Sequence, residues 1–282
     1  MKLFTTISSL QEALKVLKVK GLKIGFVPTM GALHQGHISL VQKAGDMSDI
    51  VVVSIFVNPS QFNDKNDLIN YPRSPVSDMK LLSTVRCDYV FSPSVEEVYP
   101  VPDIRKFEFG NLEKVMEGKF RPGHFNGVAQ VVSRLFGIVS PDKAFFGRKD
   151  FQQLAIINEM VKQLNLPVEI IPCDIVRESD GLAMSSRNKN LLPEHRKCAP
   201  LIYQTLKEAN VLSSSKSVDE IKEYVFNRIN ATRILKVEYF EIVDETTLNM
   251  VGSWSENGRK VGCIAVFAGK IRLIDNIIFN IY

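Results

Sequence analysis

Cysteine and histidine are scarce in this chain, which excludes two kinds of chemistry at once. Its 282 residues hold 4 cysteines and 4 histidines. Cys87, Cys173, Cys198 and Cys263 are widely spaced, form no CxxC pair and have no neighbouring histidine set, so neither a zinc site nor a disulfide framework is expected. They read as reduced thiols of a cytosolic protein. Long hydrophobic runs are also missing: no window approaches the roughly 20 apolar residues that span a bilayer. The opening Met1-Lys2-Leu3-Phe4-Thr5-Thr6 leads into a polar, amphipathic stretch without the apolar segment of a signal peptide. The expected location is therefore cytoplasmic, with no membrane partner. Nor does charge of one sign dominate. Lys plus Arg number 35 against 31 Asp plus Glu, a net charge of +4 that is too mild and dispersed for a nucleic-acid footprint, although a local anion site stays open. Gly (16) and Pro (13) are ordinary for the length, and no G-X-Y period, internal repeat or low-complexity tract is present.

What is present is a chain 45% apolar and 23% charged, long enough for one large or two moderate domains at about 150 residues each. Its first half alternates helix and strand patterns. Ser9-Leu10-Gln11-Glu12 reads as a capping box, with Leu10, Ala13, Leu14 and Leu17 at helical spacing and Gly21 placed to end the helix. Leu22 to Val27 reads as a short strand, His37 to Ala44 as a helix, and the β-branched run Ile50 to Val57 as a buried parallel strand. Ser74-Pro75 starts another helix. Asp88 to Phe91 follows as a strand, Val128 to Ile138 as a helix, and Lys143 to Phe146 as a strand. Asp150 to Leu164 is a further helix with Leu154, Ile157 and Val161 on one face. This alternation predicts an α/β fold: a doubly wound, Rossmann-like parallel sheet covered by helices. Beyond Arg177 the pattern changes to two polar helices over residues 194–229 and three strands, Leu235 to Val243, Lys260 to Ala268 and Ile271 to Phe279. That is the signature of a smaller α+β domain, giving an expected division into residues 1–176 and 177–282.

The most informative segment lies between the first predicted strand and a helix: Pro28-Thr29-Met30-Gly31-Ala32-Leu33-His34-Gln35-Gly36-His37. Ligands of a doubly wound sheet bind at the carboxyl ends of its strands, where a helix N-terminus offers N–H groups to phosphate. Gly36 permits close approach of the backbone, and imidazoles three residues apart fall on one side of a starting helix. His-x-Gly-His thus suits a triphosphate; the plainer reading is one loop histidine and one helix cap. A second segment, Leu182-Ala183-Met184-Ser185-Ser186-Arg187-Asn188, sets hydroxyls and a guanidinium in succession, donors suited to phosphate oxygens. Taken alone, such a tripeptide is more often a solvated loop.

Together these segments resemble the pantoate-beta-alanine ligase family of the HxGH nucleotidylyltransferase superfamily. Matching motifs follow in order over residues 28–188: PTMGALHQGH, SIFVNPSQF with the later YPR, GKFRPGHFNGVAQVV, KAFFGRKDFQQL and RESDGLAMSSRN. The resemblance implies a two-step, ATP-dependent condensation of (R)-pantoate with beta-alanine, through a pantoyl adenylate, by a homodimer that uses Mg2+ with its ATP. It places Met30, Gly31, Ala32, Leu33, His34, Gln35, Gly36 and His37 on ATP, with His37 as the family's proton donor and His34 close to the phosphates. It adds Gly147, Arg148, Lys149 and Asp150 as a second ATP segment, with Lys149 on phosphate oxygens and Asp150 on the ribose. Val176 meets adenine through its backbone, and Met184, Ser185, Ser186 and Arg187 close over the phosphates, so that residues 177–282 act as a lid that keeps water from the acyl adenylate. His37, His34, Lys149 and Arg187 are the implied catalytic groups. Gln61 and Gln153 correspond to the glutamines that hold pantoate, Gln61 also bordering beta-alanine, and Asn58 is a further candidate contact or a turn residue.

The chain also departs from the family pattern. Where an acidic pair often follows YPR, it has Ser77-Asp78, leaving Asp78 as the candidate protein ligand for magnesium. Asn63 stands where a Gly is common. Arg121 and His124 read as dimer or active-site edge residues, with a buried, hydrogen-bonded His124 as the default. The competing readings are a nucleotidylyltransferase of the same superfamily, a class I aminoacyl-tRNA synthetase and an inactive nucleotide-binding module. Gln61, Gln153 and the C-terminal domain oppose the first, short length and mild charge the second, and the joint retention of His34, His37, Lys149, Ser185 and Arg187 the third.

Overall fold

The computed structural model describes residues 1–62 and 68–280; the expectation for Asn63 lies outside them. The chain forms two compact units, Met1–Phe109 with Arg121–Arg148 and Gln153–Asp174, and Gly110–Phe120 with Lys149–Gln152 and Ile175–Tyr282. In place of a single cut after residue 176, the division is discontinuous.

The first unit is built on a parallel sheet of six strands, β1 (Lys2–Phe4), β2 (Ile24–Thr29), β3 (Ile50–Ile55), β4 (Tyr89–Phe91), β5 (Lys143–Gly147) and β6 (Glu169–Cys173), in the order β1-β4-β3-β2-β5-β6. The chain runs outward from β2 through β3 to β4, then returns to the other side of β2 for β5 and β6. The direction of winding therefore reverses between β2 and β5, whose register pairs Gly25 with Lys143 and Phe26 with Ala144. Such a reversal opens a crevice at the carboxyl ends of the two strands. Val51, Val52 and Val53 of β3 are completely buried, as a continuous β-branched run in a sheet covered on both faces requires.

The flanking helices are α1 (Ile7–Val19), α2 (Gln35–Met47), α3 (Pro75–Leu82), α4 (His124–Val139) and α5 (Phe151–Gln163). On one face Ile38, Val41 and Ala44 of α2 and Leu82 of α3 pack with Val27, Val51, Val53, Val90 and Phe145 of the sheet. On the other, Phe26 meets Phe136 of α4 edge to face at 6.2 Å. Several expectations change in detail. Helix α1 begins at Ile7 with Thr6 as N-cap, and the Ser9 hydroxyl bonds back to the Thr6 carbonyl at 3.1 Å, so the expected Ser9–Glu12 capping box is absent. The fully covered positions of α5 are Gln152, Ile156, Ile157 and Met160, whereas Leu154 and Val161 are half-buried. The edge strands β1 and β6 carry too little pattern to be read beforehand. β1 has only three residues, and β6 contains Pro172, which is tolerated because an edge strand leaves one row of N–H groups unpaired.

The second unit carries an antiparallel sheet of β7 (Leu235–Asp244), β8 (Lys260–Ala268) and β9 (Ile271–Ile278) with α6 (Leu201–Leu212) and α7 (Val218–Asn230). A Ser217–Glu220 capping box starts α7. Ile202, Leu206, Ile221, Val225 and Ile229 of the helices bury against Phe240, Ile264 and Val266. A register shift between Val237 and Tyr239 reverses the alternation along β7, as a bulge does. Tyr239 thereby stacks on Phe120 at 5.5 Å and donates its hydroxyl to Glu117 Oε1 at 2.7 Å. Arg272 grips the same carboxylate through two bonds of 2.7 and 2.8 Å and also holds Glu238. The Gln152 amide receives the Glu117 N–H at 2.9 Å and donates to the carbonyls of Leu112 and Val115. These bonds tie Gly110–Phe120 and Gln152 to this unit, although both lie far from it in sequence.

The cysteines are unpaired. Burial pushes the Cys87 thiol up to about 12 and also raises Cys173 and Cys263, so all three stay protonated and unreactive near neutrality. Among the described residues no helix is long and apolar enough to cross a membrane.

Candidate active site

The loop after β2 is held rigid from beneath. Thr29 donates its hydroxyl to the Ser54 carbonyl at 2.7 Å and accepts the Gly31 N–H at 3.2 Å. Gly31 and Ala32 then both adopt positive φ, 78° and 49°, which is uncommon for alanine and persists only where the surroundings enforce it. Asp78 enforces it: Oδ2 accepts the Ala32 N–H at 3.0 Å and Oδ1 the Leu33 N–H at 2.7 Å. A Cβ on Gly31 would lie 3.1 Å from both Asp78 Oδ2 and Ile55, so glycine suits the turn's φ and its tight fit. Asp78, the candidate magnesium ligand, has a structural task at this point in the fold. The residue is only 1% exposed and its carboxylate is committed to two backbone N–H groups, so it anchors the loop. Among the described residues no group of three or more His, Cys, Asp or Glu side chains is placed to hold a metal ion. These residues thus supply no fitting nest for resident magnesium.

The two histidines open α2 as a reciprocal pair. His34 is the N-cap and its Nδ1 accepts the Gly36 N–H at 3.2 Å, while its own N–H donates to His37 Nδ1 at 3.3 Å. The rings lie 4.0 Å apart, centre to centre, at 40°, and both side chains are half-buried. A backbone N–H can only donate, so Nδ1 of each ring must be the acceptor and the proton of each neutral imidazole sits on Nε2. The capping box therefore does two things: it satisfies orphan donors of the helix start and fixes a tautomer with two Nε2–H donors side by side. The arrangement suits an anion at a helix N-terminus, at the carboxyl end of β2 beside the point of reversal. On the far side of that point lie Gly147, which ends β5, and Arg148. The Arg148 N–H donates to the Cys173 carbonyl at 2.8 Å, and its guanidinium lies 3.8 Å from Asp174.

Gln61 is positioned by a dense cluster at the end of β3. Asn58, 1% exposed, caps the turn Pro59–Gln61. Its Nδ2 donates to the Gly127 carbonyl at 3.1 Å and to Gln61 Oε1 at 3.4 Å, and its Oδ1 accepts the Tyr99 hydroxyl at 3.1 Å. Burial pushes the Tyr99 phenol up, which keeps it protonated as a donor. His124 is buried and donates from Nδ1 to the Gln61 carbonyl at 2.8 Å. The Gln61 amide reaches Met30 Sδ at 2.9 Å, so the structure joins Gln61 to the loop that precedes the histidines. Asn58 thus shapes the turn with its polar atoms engaged inside the protein. Gln153 is half-buried in the first turn of α5.

Gly127 is required by this packing. A Cβ there would fall 2.5 Å from the Ser60 carbonyl oxygen and 2.9 Å from Gln61 Cα, backbone atoms that can yield only if the turn moves. Gly127→Ala is expected to cost about 1–3 kcal/mol through overpacking, a loss that thermal melts of the variant measure.

In the second unit, Lys149 and Asp150 precede α5, their charged groups 3.9 Å apart. Val176 accepts the Met184 N–H at 3.0 Å, and Arg177 bridges to Ala183, so residues 176–184 form a closed arm turned at Gly181. Ser185 Oγ accepts the Arg187 N–H at 3.3 Å and caps the turn Ser186–Asn190. Ser186 is buried; Met184 and Arg187 are half-buried. No sequence signal pointed to Arg177, Asp275 and Asn276, which brace this arm, because a contact spanning 98 residues has no local signature.

The whole chain is similar to known proteins. The family model described as pantoate-beta-alanine ligase matches residues 2–278. A pantothenate synthetase of Phocaeicola vulgatus is 56% identical over 278 residues, covering 98% of this chain and 99% of that protein. The crystal structure of pantothenate synthetase from Thermus thermophilus superposes with a TM-score of 0.91 at 40% identity, over 98% and 99% of the two chains. That of the Francisella tularensis pantoate-beta-alanine ligase, complexed with beta-gamma ATP and beta-alanine, gives 0.85 at 37% identity over 100% and 99%. With the six-stranded parallel sheet, the smaller antiparallel domain and the histidine pair at the start of α2 in place, the chain belongs to the pantoate-beta-alanine ligase family.

Proposed function

We propose a division of labour among these residues in the ATP-dependent joining of pantoate to beta-alanine. In the first step a pantoate carboxylate oxygen attacks the α-phosphorus of ATP, the bond from that phosphorus to the bridging oxygen breaks, and pyrophosphate leaves. In the second the beta-alanine amine attacks the acyl carbon, the amide forms with loss of a proton, and AMP departs. Such transfers depend on positioning and on stabilising charge that develops on phosphate oxygens.

The reading rests chiefly on the reciprocal capping of His34 and His37, which presents two Nε2–H donors at a helix start. His34 and His37 donate hydrogen bonds from Nε2 to phosphate oxygens, those of the departing pyrophosphate among them. Main-chain groups of Met30 to Leu33, with Gln35 and Gly36, line the nucleotide, followed by Gly147 and Arg148. Lys149 and Arg187 neutralise phosphate charge, Asp150 binds the ribose, Val176 meets adenine through its backbone, and Met184, Ser185 and Ser186 complete the contacts. Gln61 and Gln153 bind the pantoate hydroxyls and carboxylate, their amides able both to donate and to accept. Gln61 also borders beta-alanine. Magnesium enters with the nucleotide, held by phosphate oxygens and water. The protein works as a homodimer in the cytoplasm.

Exchange of labelled pyrophosphate into ATP, with magnesium present and beta-alanine absent, tests the first step. Exchange that requires pantoate is expected. Exchange that requires a phosphorylated acceptor instead would establish a nucleotidylyltransferase, and no exchange with any acceptor a binding module.

A further inference from the structure

Two adjacent residues of β9 brace both second-unit segments assigned above to ATP. Asp275 and Asn276 are only 4% and 7% exposed. The Asp275 carboxylate receives both arms of the Arg177 guanidinium, at 2.6 and 3.0 Å. The same guanidinium donates to the Gly181 carbonyl at 3.2 Å and stacks 3.4 Å from the centre of the Tyr203 ring. It is thus fixed by a fork, a carbonyl and a ring face, and it holds the arm of residues 176–184 at its base and its tip. Asn276 donates its amide to the Lys149 carbonyl at 3.1 Å, and its own N–H donates to Asp275 Oδ1 at 2.8 Å.

A buried ion pair is a poor way to gain stability alone, because desolvating two charges cancels much of their attraction. What a forked Arg–carboxylate pair provides is a defined orientation. Burial pushes the Asp275 carboxyl up, opposed by Arg177 and by nearby Lys149.

We infer that Asp275 and Asn276 are positioning residues for the adenylation step: Asn276 sets Lys149 through its carbonyl, and Asp275, through Arg177, sets the arm leading to Arg187. This rests on the assignment of Lys149 and Arg187 to phosphate. Both segments then take their register from one point on β9, and neither residue need touch substrate. Displacement of a binding group by an ångström costs on the order of 100-fold in rate.

The test separates the half-reactions in the full-length enzyme. Asn276→Ala is expected to lower pantoate-dependent pyrophosphate exchange about 10–100-fold, while aminolysis of supplied pantoyl adenylate by beta-alanine changes less than about threefold. Combined with Lys149→Ala it should add almost nothing, since the two residues act through one group. Asp275→Asn, which keeps the shape, gives the same comparison with Arg187→Ala as its partner, and serves if Asn276→Ala does not fold. Equal loss in both half-reactions, full additivity, or unchanged exchange would overturn the positioning role while leaving Lys149 on phosphate. Exchange unaffected by Lys149→Ala would overturn the phosphate assignment, and this proposal with it.

Discussion

His37→Ala is expected to lower pantoate-dependent pyrophosphate exchange by about 100–1000-fold, the usual worth of a lost oxyanion-type donor, while the protein stays folded. The stability cost should be small, near 1 kcal/mol, because the half-buried His34 N–H loses its partner but keeps access to water. His34 permits a finer separation of roles. Its Nδ1 caps α2 through the Gly36 N–H, a task that asparagine performs well. His34→Asn should therefore preserve the melting temperature and still lose exchange, because asparagine offers nothing in place of Nε2. His34→Ala should lose exchange together with about 1 kcal/mol of stability. Near-normal exchange by His34→Asn would show capping to be its whole role, and near-normal exchange by His37→Ala would remove His37 from the chemistry.

Asp78→Ala is expected to damage stability and activity together. Its carboxylate is the partner of the Ala32 and Leu33 N–H groups, and each buried donor left unpaired costs about 1–3 kcal/mol. Water entering the space left behind recovers part of this, so a net loss of roughly 2–4 kcal/mol is expected, or about 4–16 °C in melting temperature. Ala32 at φ 49° would relax once unbraced, and the histidines that follow would move with it, reducing exchange at every magnesium concentration. A metal-ligand role gives the opposite pattern, an unchanged melting temperature and an activity defect relieved by added magnesium. Thermal melts and a magnesium titration of the same variant distinguish the two.

Sequence pattern reached the elements that repeat a local rule. The β-branched run of β3, the period of α2, the stop at Gly21 and the three C-terminal strands follow from side-chain spacing, which is local physics. It reached His34 and His37 for the same reason: a strand, a glycine-bearing turn and a helix start are consecutive in the chain. The short edges β1 and β6 escaped, since three residues carry no period and Pro172 interrupts the other. Asn58 shows a different limit. Its position before Pro59 suggested a turn or a ligand contact, and only the approach of Gly127 and Tyr99 from distant segments shows its amide engaged within the protein. The motif GKFRPGHF runs unbroken in sequence, yet Gly118–Phe120 belongs to one unit and Arg121 onward to the other.

By itself, then, the sequence determined the doubly wound class, the family and the histidine pair, because periodicity, capping and ordered motifs are written along the chain. Tertiary structure alone decided that Asp78 braces the loop, that Glu117 and Gln152 draw their segments to the C-terminal sheet, and that Asp275 and Asn276 hold Arg177 and Lys149. The physical reason is common to all of them. A buried polar group must find a partner, but which donor meets which acceptor is settled only when packing brings together residues that stand far apart in the chain.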